Sequence, residues 1–195
     1  MIGRLHGRVL AKQPPWLLLD VAGVGYELEL PMSSFFTLPA EGQLVTLHTH
    51  LVVREDAHLL FGFGGEAERT LFRALIKVSG VGPRVALAVL SGISVEAFWN
   101  AVRLGDAALL TRTPGIGKRT AERLLLELRG RAEGVAAAGP VTPAGGADQP
   151  LIEARAALTA LGYKPAEVTR YTEAVYKDGM DAEKIIREAL KRALR

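Results

Sequence analysis

Two stretches of the chain repeat one pattern at an offset of 35 residues: Leu75–Leu90 reads LIKVSGVGPRVALAVL, and Leu110–Leu125 reads LTRTPGIGKRTAERLL. In each copy, a Gly-x-Gly turn lies between two segments whose leucines recur at helical spacing. This pattern predicts a helix, a tight turn and a second helix, twice in succession. The repeat therefore predicts a tandem helix-hairpin-helix domain over residues 64–133.

The glycines of the two turns predict phosphate binding. Glycine permits positive φ and a close approach of backbone to ligand, and the helix N-terminus after each turn presents free N–H groups to an anion. Basic residues follow each turn, although cations there oppose the helix dipole by roughly 0.3–1 kcal/mol each. The middle residues of the turns can pack inward. The alternative is a hairpin that needs glycine for geometry alone. The predicted phosphate-binding set is Gly80, Val81, Gly82, Arg84, Gly115, Ile116, Gly117, Lys118 and Arg119.

The same turns do not match a nucleotide-binding loop. A Walker A loop needs glycine at position 112 and Ser or Thr at position 119, where this chain has Arg112 and Arg119. A Rossmann fingerprint needs a preceding strand and a third glycine. We therefore expect no nucleotide cofactor, and we identify no catalytic residues, since no Ser/His/Asp set or carboxylate pair has a recognisable context.

Residues 1–63 have the pattern of short strands. Polar and apolar residues alternate in Tyr26–Leu30 and in Gln43–Val53, as in half-buried strands. With Ile2–Leu10, Trp16–Val21 and Leu59–Phe63, this makes about five strands, separated by turns at 14–15, 23–25 and 54–57. Five short strands without a long helix predict a small OB-type barrel. The whole chain is then an α+β multidomain protein.

The C-terminal third divides into a linker and a small helical domain. Residues 134–150 contain four Gly, three Pro and five Ala with one charge, Asp148, which predicts a flexible linker with a root-mean-square span of roughly 20–25 Å. Residues 151–195 predict three helices, with Gly162 ending the first and Pro165 opening the second. We expect a three-helix, UBA-like bundle.

The charge distribution places the positive excess in the middle of the chain. Residues 1–63 carry four Lys/Arg against six Asp/Glu, whereas residues 64–134 carry eleven against seven. A polyanion would bind most strongly to this central part. The chain has no cysteine, which excludes disulfides and thiolate metal sites. The N-terminus lacks a sustained apolar segment, so we expect a cytoplasmic protein without a membrane span.

The sequence resembles the RuvA family of bacterial Holliday-junction branch-migration subunits. The resemblance covers nearly the whole chain and includes the order of barrel, paired hairpins, linker and C-terminal bundle. The residues that carry it are Met1–Leu5, Thr49–Asp56, Glu68–Phe72, both hairpins and Leu161–Pro165.

The resemblance implies a non-catalytic subunit that grips DNA at the hairpins. It implies a homotetramer, or two tetramers stacked as an octamer, that holds a four-way DNA junction open in a square. The implied protein partners are the hexameric ATPase motor RuvB and the junction resolvase RuvC. Where the family often has lysine, this chain has Arg84 and Arg119, which keeps the charge.

The resemblance also assigns two further sites. Glu55 and Asp56 would form an acidic pin at the junction centre, where like charges held about 4–6 Å apart repel by on the order of 1–4 kcal/mol. From the residues alone, these two carboxylates are more simply a solvated hairpin tip. The C-terminal bundle would bind the motor, and the candidate contacts are Leu158, Leu161, Tyr163 and Leu190, of which Leu158 and Leu161 also have the spacing of core residues.

Other features favour structural roles, and two other functions stay open. His48 and His50 lie on one strand face, but no third metal ligand is near in sequence. The barrel is net negative, so its aromatic residues favour a core or subunit-interface role over base stacking: Trp16, Phe35, Phe36, Phe61 and Phe63. The competing functions are a structure-selective nuclease or glycosylase, and a single-strand or RNA-binding barrel.

Overall fold

Five strands close into a barrel in the N-terminal part of the computed structural model, which describes residues 1–137, 149–177 and 179–193. The strands are β1 (Arg4–Gln13), β2 (Trp16–Val21), β3 (Val24–Glu29), β4 (Leu44–Val53) and β5 (His58–Phe63). Their order around the barrel is β1-β2-β3-β5-β4, with β3 and β5 parallel and the other pairs antiparallel. The predicted OB-type barrel is confirmed.

The barrel core follows from the period of two along each strand. In β1, for example, Leu5 and Val9 point inward and are 8% and 0% exposed. Two details differ from the sequence prediction. A short helix, α1 (Met32–Phe35), lies between β3 and β4, and the β2–β3 turn is Ala22-Gly23 rather than 23–25. Both turn residues have positive φ, 53° and 88°, as a two-residue hairpin turn of matching twist requires.

Five helices follow the barrel and form the two predicted hairpins. They are α2 (Glu66–Leu75), α3 (Pro83–Gly92), α4 (Val95–Leu104), α5 (Ala107–Thr111) and α6 (Lys118–Ala137). The first hairpin is α2 and α3, the second is α5 and α6, and α4 connects them. Serine and aspartate are residue types that favour the N-cap position, and Ser94 and Asp106 cap α4 and α5. Their side chains accept from the N–H of Ala97 at 3.2 Å and of Leu109 at 3.0 Å.

The barrel and the hairpins belong to one compact unit, Met1–Gly139. The Phe72 ring of α2 lies 5.0 Å from the rings of Phe61 and Phe63 of β5, measured between centroids. The chain therefore changes from strand to helix after Phe63, but one hydrophobic core contains residues from both sides of this boundary.

The helix α6 extends to Ala137, so the first four residues of the predicted linker are helical. A single glycine, Gly134, costs only about 1 kcal/mol within a helix, and valine and alanine follow it. The last two residues of the predicted linker, Gln149 and Pro150, begin the next helix. The rest of that linker, 138–148, lies outside the described residues.

The second compact unit, Pro140–Arg195, contains three helices within its described part: α7 (Gln149–Ala160), α8 (Pro165–Glu173) and α9 (Ala182–Ala193). Gly162, with φ of +97°, follows α7, and Pro165 opens α8 as predicted. Leu158, Val168 and Ala189 form the core. The predicted three-helix bundle is confirmed.

No single helix in the described ranges is long and apolar enough to cross a membrane. By length and composition alone, α3 and α4 meet that requirement only as a pair, and their axes are bent by 99°.

Candidate nucleic-acid interface

Each hairpin contains a four-residue turn closed by a backbone hydrogen bond. The Val81 N–H donates to the Val78 carbonyl at 3.0 Å, and the Ile116 N–H donates to the Thr113 carbonyl at 3.1 Å. The third residue of each turn is a glycine with positive φ, 89° at Gly80 and 86° at Gly115. A residue with a Cβ is strained in this conformation, so the turn geometry itself requires these two glycines.

The middle residues of the Gly-x-Gly motifs serve the fold. Val81 and Ile116 are each 5% exposed, and their side chains join the core of the helical part. Their amides already donate within the turns. This occupancy removes both amides from the predicted set of phosphate donors, because a turn that is closed by its own N–H does not offer that N–H to a ligand.

Gly82 and Gly117 are different, because the folded chain does not require glycine at either position. Gly82 has φ of −87° and ψ of 173°, which any residue adopts, and Gly117 is not among the positive-φ residues described. Sequence neighbours aside, no heavy atom of the described chain lies within 4 Å of a Cβ built at either residue. Positive φ therefore explains glycine at positions 80 and 115, but not at positions 82 and 117.

Gly82 and Gly117 immediately precede the second helix of each hairpin. The Gly82 carbonyl accepts from Ala86, and the Gly117 carbonyl accepts from Ala121. The N–H groups of the first residues of each helix have no hydrogen-bond partner within the helix. Pro83 is the exception, because proline has no N–H group. Both helices thus begin with free N–H groups beside a glycine that leaves space in front of them.

The two hairpins contact each other directly. A Cβ on Gly115 would lie 3.3 Å from Cγ2 of Val85 in α3, and Nη1 of Arg123 in α6 donates to the Ser79 carbonyl at 3.0 Å. We use "hairpin surface" for the exposed members of the predicted phosphate-binding set, which are Gly80, Gly82, Arg84, Gly115, Gly117, Lys118 and Arg119. Arg123 has no counterpart in the first copy of the repeat, so the sequence pattern does not indicate its role.

A carboxylate of the barrel lies near the hairpin surface. Burial raises the pKa of Glu29, at the end of β3, and the positive charge of Arg84 opposes this shift with a smaller effect. Arg84 is therefore close enough to Glu29 to feel its charge. Nothing in the sequence indicated this proximity, because 55 residues separate the two side chains.

The two histidines considered as metal ligands lie between the barrel and α2. The His48 Nδ1 is 3.0 Å from a carboxylate oxygen of Glu66, and the Arg73 Nε donates to the His50 Nδ1 at 3.2 Å. Burial lowers the pKa of His50, with smaller contributions from Arg73 and Arg69. Both imidazoles therefore contribute to the contact between barrel and helix.

Glu55 and Asp56 lie at the tip of the β4–β5 hairpin. The Arg54 N–H donates to the Ala57 carbonyl at 2.8 Å and closes this tip, and both carboxylates are exposed. Val53, the last residue of β4, pairs with His58 of β5 next to this tip and is 61% exposed.

Comparisons with known proteins cover every part of the chain. Three family models match the chain: the RuvA N terminal domain over residues 1–62, the SAM-like Helix-hairpin-helix tandem over residues 72–130 and the RuvA C-terminal domain over residues 149–194. The chain is 54% identical over 201 residues to the "Holliday junction branch migration complex subunit RuvA" of Actinobacillus pleuropneumoniae serotype 5b (strain L20), with 100% of both chains covered. This chain belongs to the RuvA family.

Other RuvA relatives agree over the full length. The protein of the same name from Haemophilus influenzae (strain PittGG) is 54% identical over 204 residues, and that from Nitrosococcus oceani is 53% identical over 199 residues. Both alignments cover 100% of each chain. The resemblance stated from the motifs is confirmed.

The part that matches the RuvA C-terminal domain changes the set of candidate motor contacts. Leu158 is 1% exposed and belongs to the core of this unit, so its side chain is not available to a partner. Leu161 is 62% exposed, whereas Tyr163 and Leu190 are half-buried against the core. Ile152 on α7, not identified from the sequence, is 61% exposed.

The aromatic residues of this RuvA-family barrel also divide by burial. Phe35, Phe61 and Phe63 are in the core, as expected. Trp16 and Phe36 are 47% and 78% exposed, so an interface role is compatible with these two only.

Proposed function

We propose that this RuvA-family chain binds four-way DNA junctions through their phosphate backbone and has no catalytic activity of its own. The main support for this proposal is the presence of Gly82 and Gly117 at positions where the folded chain does not require glycine. Glycine at both helix starts is explained if a phosphate approaches the free N–H groups where a Cβ would stand.

The charges of the hairpin surface support a phosphate as the ligand. Arg84, Lys118 and Arg119 are exposed at the N-terminal ends of α3 and α6. Cations at these ends are unfavourable in the free protein by roughly 0.3–1 kcal/mol each. A bound phosphate reverses this effect, because it interacts favourably with both the helix N–H groups and the cations.

The proposal includes an assembly that matches the shape of the junction. In a homotetramer, or an octamer of two stacked tetramers, each subunit would bind one arm of a junction held open and square. Glu55 and Asp56 would project from four hairpin tips towards the crossover, where their repulsion of the DNA backbone would keep strands apart. The exposed position of both carboxylates supports this role.

The acidic pin can be tested by reversing its charge. We expect that the double variant Glu55→Lys with Asp56→Lys binds junctions as tightly as the original chain or more tightly, but changes the rate of branch migration. Rates are measured with the motor present on a labelled four-way junction. An unchanged rate would remove the steering role of the pin.

Recruitment of a motor is the second part of the proposal. The matched relatives are named as subunits of a branch migration complex, so the energy for migration would come from a partner, the hexameric ATPase RuvB, and this chain would have no ATP site. The separate core of the C-terminal unit supports a dedicated docking module. A contact with the resolvase RuvC and a cytoplasmic location complete the proposed function.

The decisive experiment compares a four-way junction with linear duplex of equal length in a gel-shift series over salt concentration. We expect tighter binding to the junction, and binding that weakens steeply with salt because phosphate contacts release counterions. Equal affinity for both DNAs at matched salt would contradict the proposal. Persistent cutting of labelled junctions in magnesium by rigorously purified protein would favour a nuclease instead.

A matched pair of variants tests the hairpins themselves. Asp is a good N-cap residue, so Gly82→Asp and Gly117→Asp should leave the helices folded while placing a carboxylate where the phosphate would be. We expect junction binding to weaken by roughly tenfold or more.

The control is Gly65→Asp. Gly65 is the N-cap of α2, has an extended conformation and has open space at its Cβ position, but lies outside the hairpin surface. The Gly65→Asp substitution adds the same charge at an equivalent helix position and should leave junction binding nearly unchanged. If all three variants bind equally well, the hairpins are structural, as in the single-strand or RNA-binding alternative.

A further inference from the structure

Arg123 links the second hairpin to the turn of the first. It lies in α6, is half-buried, and its guanidinium Nη1 donates to the backbone carbonyl of Ser79 at 3.0 Å. Ser79 and Gly80 are the two central residues of the turn that the Val81 N–H closes onto the Val78 carbonyl. The side chain therefore acts on the one peptide group at the apex of the first turn.

The dihedral angles identify the conformation of this turn. Gly80 has φ of 89°, and Ser79 has a negative φ, since Ala22 is the one non-glycine residue with positive φ in the described ranges. This combination is a type II turn. Type I and type II turns differ by a flip of the central peptide, which here joins Ser79 to Gly80.

The hydrogen bond from Arg123 selects one of these two orientations. In a trans peptide, the carbonyl and the N–H point in opposite directions. When the Ser79 carbonyl points towards Arg123, the Gly80 N–H must point away from it. Gly80 is exposed, so its N–H is presented to solvent at the hairpin surface. A flipped peptide would replace this donor with a carbonyl oxygen, which repels phosphate.

The second hairpin obtains the same turn by a different means. Its turn has Pro114 at the position of Ser79, and proline presets the φ that the second residue of a type II turn needs. The 35-residue offset places Ala88 opposite Arg123, and alanine has no side-chain donor. One turn is thus preset by its own covalent structure, and the other is stabilised by a guanidinium from the partner hairpin.

We propose that Arg123 is a positioning residue for DNA binding, which orients the Ser79–Gly80 peptide so that the Gly80 N–H faces a phosphate. This inference rests on the proposed binding of phosphate by the hairpins. It differs from a direct phosphate contact by Arg123, since the guanidinium acts through a neutral backbone amide.

The salt dependence of binding separates these two roles. Each cation that directly neutralises a phosphate contributes about 0.9 to the slope of log affinity against log salt. For full-length Arg123→Gln, we expect roughly tenfold weaker junction binding with the slope unchanged. The comparison is Arg119→Gln, for which the slope should fall by about 0.9. Circular dichroism checks that both variants are folded.

A second-site change supplies the rescue. The backbone before Ser79 has the same conformation as the backbone before Pro114. The Val78 N–H donates to the Leu75 carbonyl at 3.0 Å, and the equivalent Thr113 N–H donates to the Leu110 carbonyl at 3.1 Å. The position of Ser79 should therefore accept proline. Adding Ser79→Pro to Arg123→Gln should recover junction affinity about 2–5-fold. The same change in the original chain should have little effect.

The outcomes distinguish this inference from the proposed function. Unchanged affinity in Arg123→Gln, a slope lowered by about 0.9, or failure of Ser79→Pro to rescue would each overturn the positioning role. If Gly82→Asp and Gly117→Asp abolish binding in the same assays, the hairpins still bind phosphate and only the role of Arg123 is lost. If those two variants bind normally, the proposed function itself fails.

Discussion

At the scale of single residues, Glu29 places a negative charge beside a side chain that we propose binds phosphate. Its carboxylate is close enough to Arg84 for their charges to interact. The Glu29 carboxylate would repel a phosphate bound at Arg84, and Glu29→Gln removes this repulsion. We expect junction affinity to rise about twofold at low salt, which is the size of effect expected from one exposed charge near a phosphate. The measurement is a junction titration by gel shift.

The control for this prediction is Glu27→Gln. Glu27 lies on the same face of β3, two residues closer to the β2–β3 turn, so it changes the net charge equally. An equal gain in both variants would show a general charge effect rather than a local one. The gain in Glu29→Gln should also disappear at high salt, where screening shortens the reach of the charge.

His50 predicts a pH dependence of stability. Burial, Arg73 and Arg69 hold its pKa below 6.5 in the folded chain, so the unfolded state binds the proton first as pH falls. The free energy of unfolding should therefore decrease as pH drops from about 6.5 towards the folded pKa, and then level off for this group. Above that range, the contribution of the neutral imidazole is fully present.

Urea unfolding at several pH values tests this dependence in His50→Gln, whose amide oxygen can still accept from Arg73. We expect a smaller loss of stability between about pH 7.5 and 5.5, a range about one unit on either side of an ordinary histidine pKa. His58→Gln, at the exposed start of β5, is the matched control. Equal pH profiles for the two variants would contradict a special role for His50.

At the scale of elements, the four hairpin glycines divide into two classes with opposite phenotypes. Gly80→Ala and Gly115→Ala force a Cβ into positive φ and should lower the free energy of unfolding by about 1–2 kcal/mol. Gly115→Ala also crowds Val85. Gly82→Ala and Gly117→Ala should cost less stability, no more than about 0.5–1 kcal/mol, because alanine is a poorer residue than glycine before a helix. They should weaken junction binding, because the Cβ stands in front of the free N–H groups.

Denaturant unfolding and gel shift on the same four variants test this division. If Gly82→Ala destabilises the chain as much as Gly80→Ala, the fold needs both glycines and the main argument for phosphate binding is lost. Normal junction binding by Gly82→Ala and Gly117→Ala together would have the same consequence.

The hairpins also show what could be predicted from sequence and what could not. The repeat predicted both hairpins, and the residue types predicted the caps Ser94 and Asp106, because these features depend on local spacing. The division among the glycines could not be predicted, since it depends on which amide closes each turn. Arg123 and Glu29 were missed because their contacts join residues that are distant in sequence.

At the scale of the whole molecule, the chain consists of two compact units, each with its own core. The C-terminal core is small, so the difference between core and contact residues matters most there. Similar leucine spacing made Leu158 and Leu161 equivalent candidates, but Leu158 is buried against α8 and α9 whereas Leu161 follows the end of α7. Only the packing of three helices separates the two roles.

Motor recruitment can be tested at Leu161 and Ile152, two exposed apolar residues of the C-terminal unit. Leu161→Ser with Ile152→Ser changes two exposed apolar side chains, so we expect the C-terminal unit to stay folded and junction affinity to stay unchanged. Branch migration driven by the motor should fall at limiting motor concentration and recover as that concentration is raised. Leu158→Ala should instead unfold the C-terminal unit, since removing a buried leucine costs about 2–5 kcal/mol, and its defect should persist at high motor concentration. Normal motor-driven migration by the double variant would place the docking surface elsewhere on the molecule.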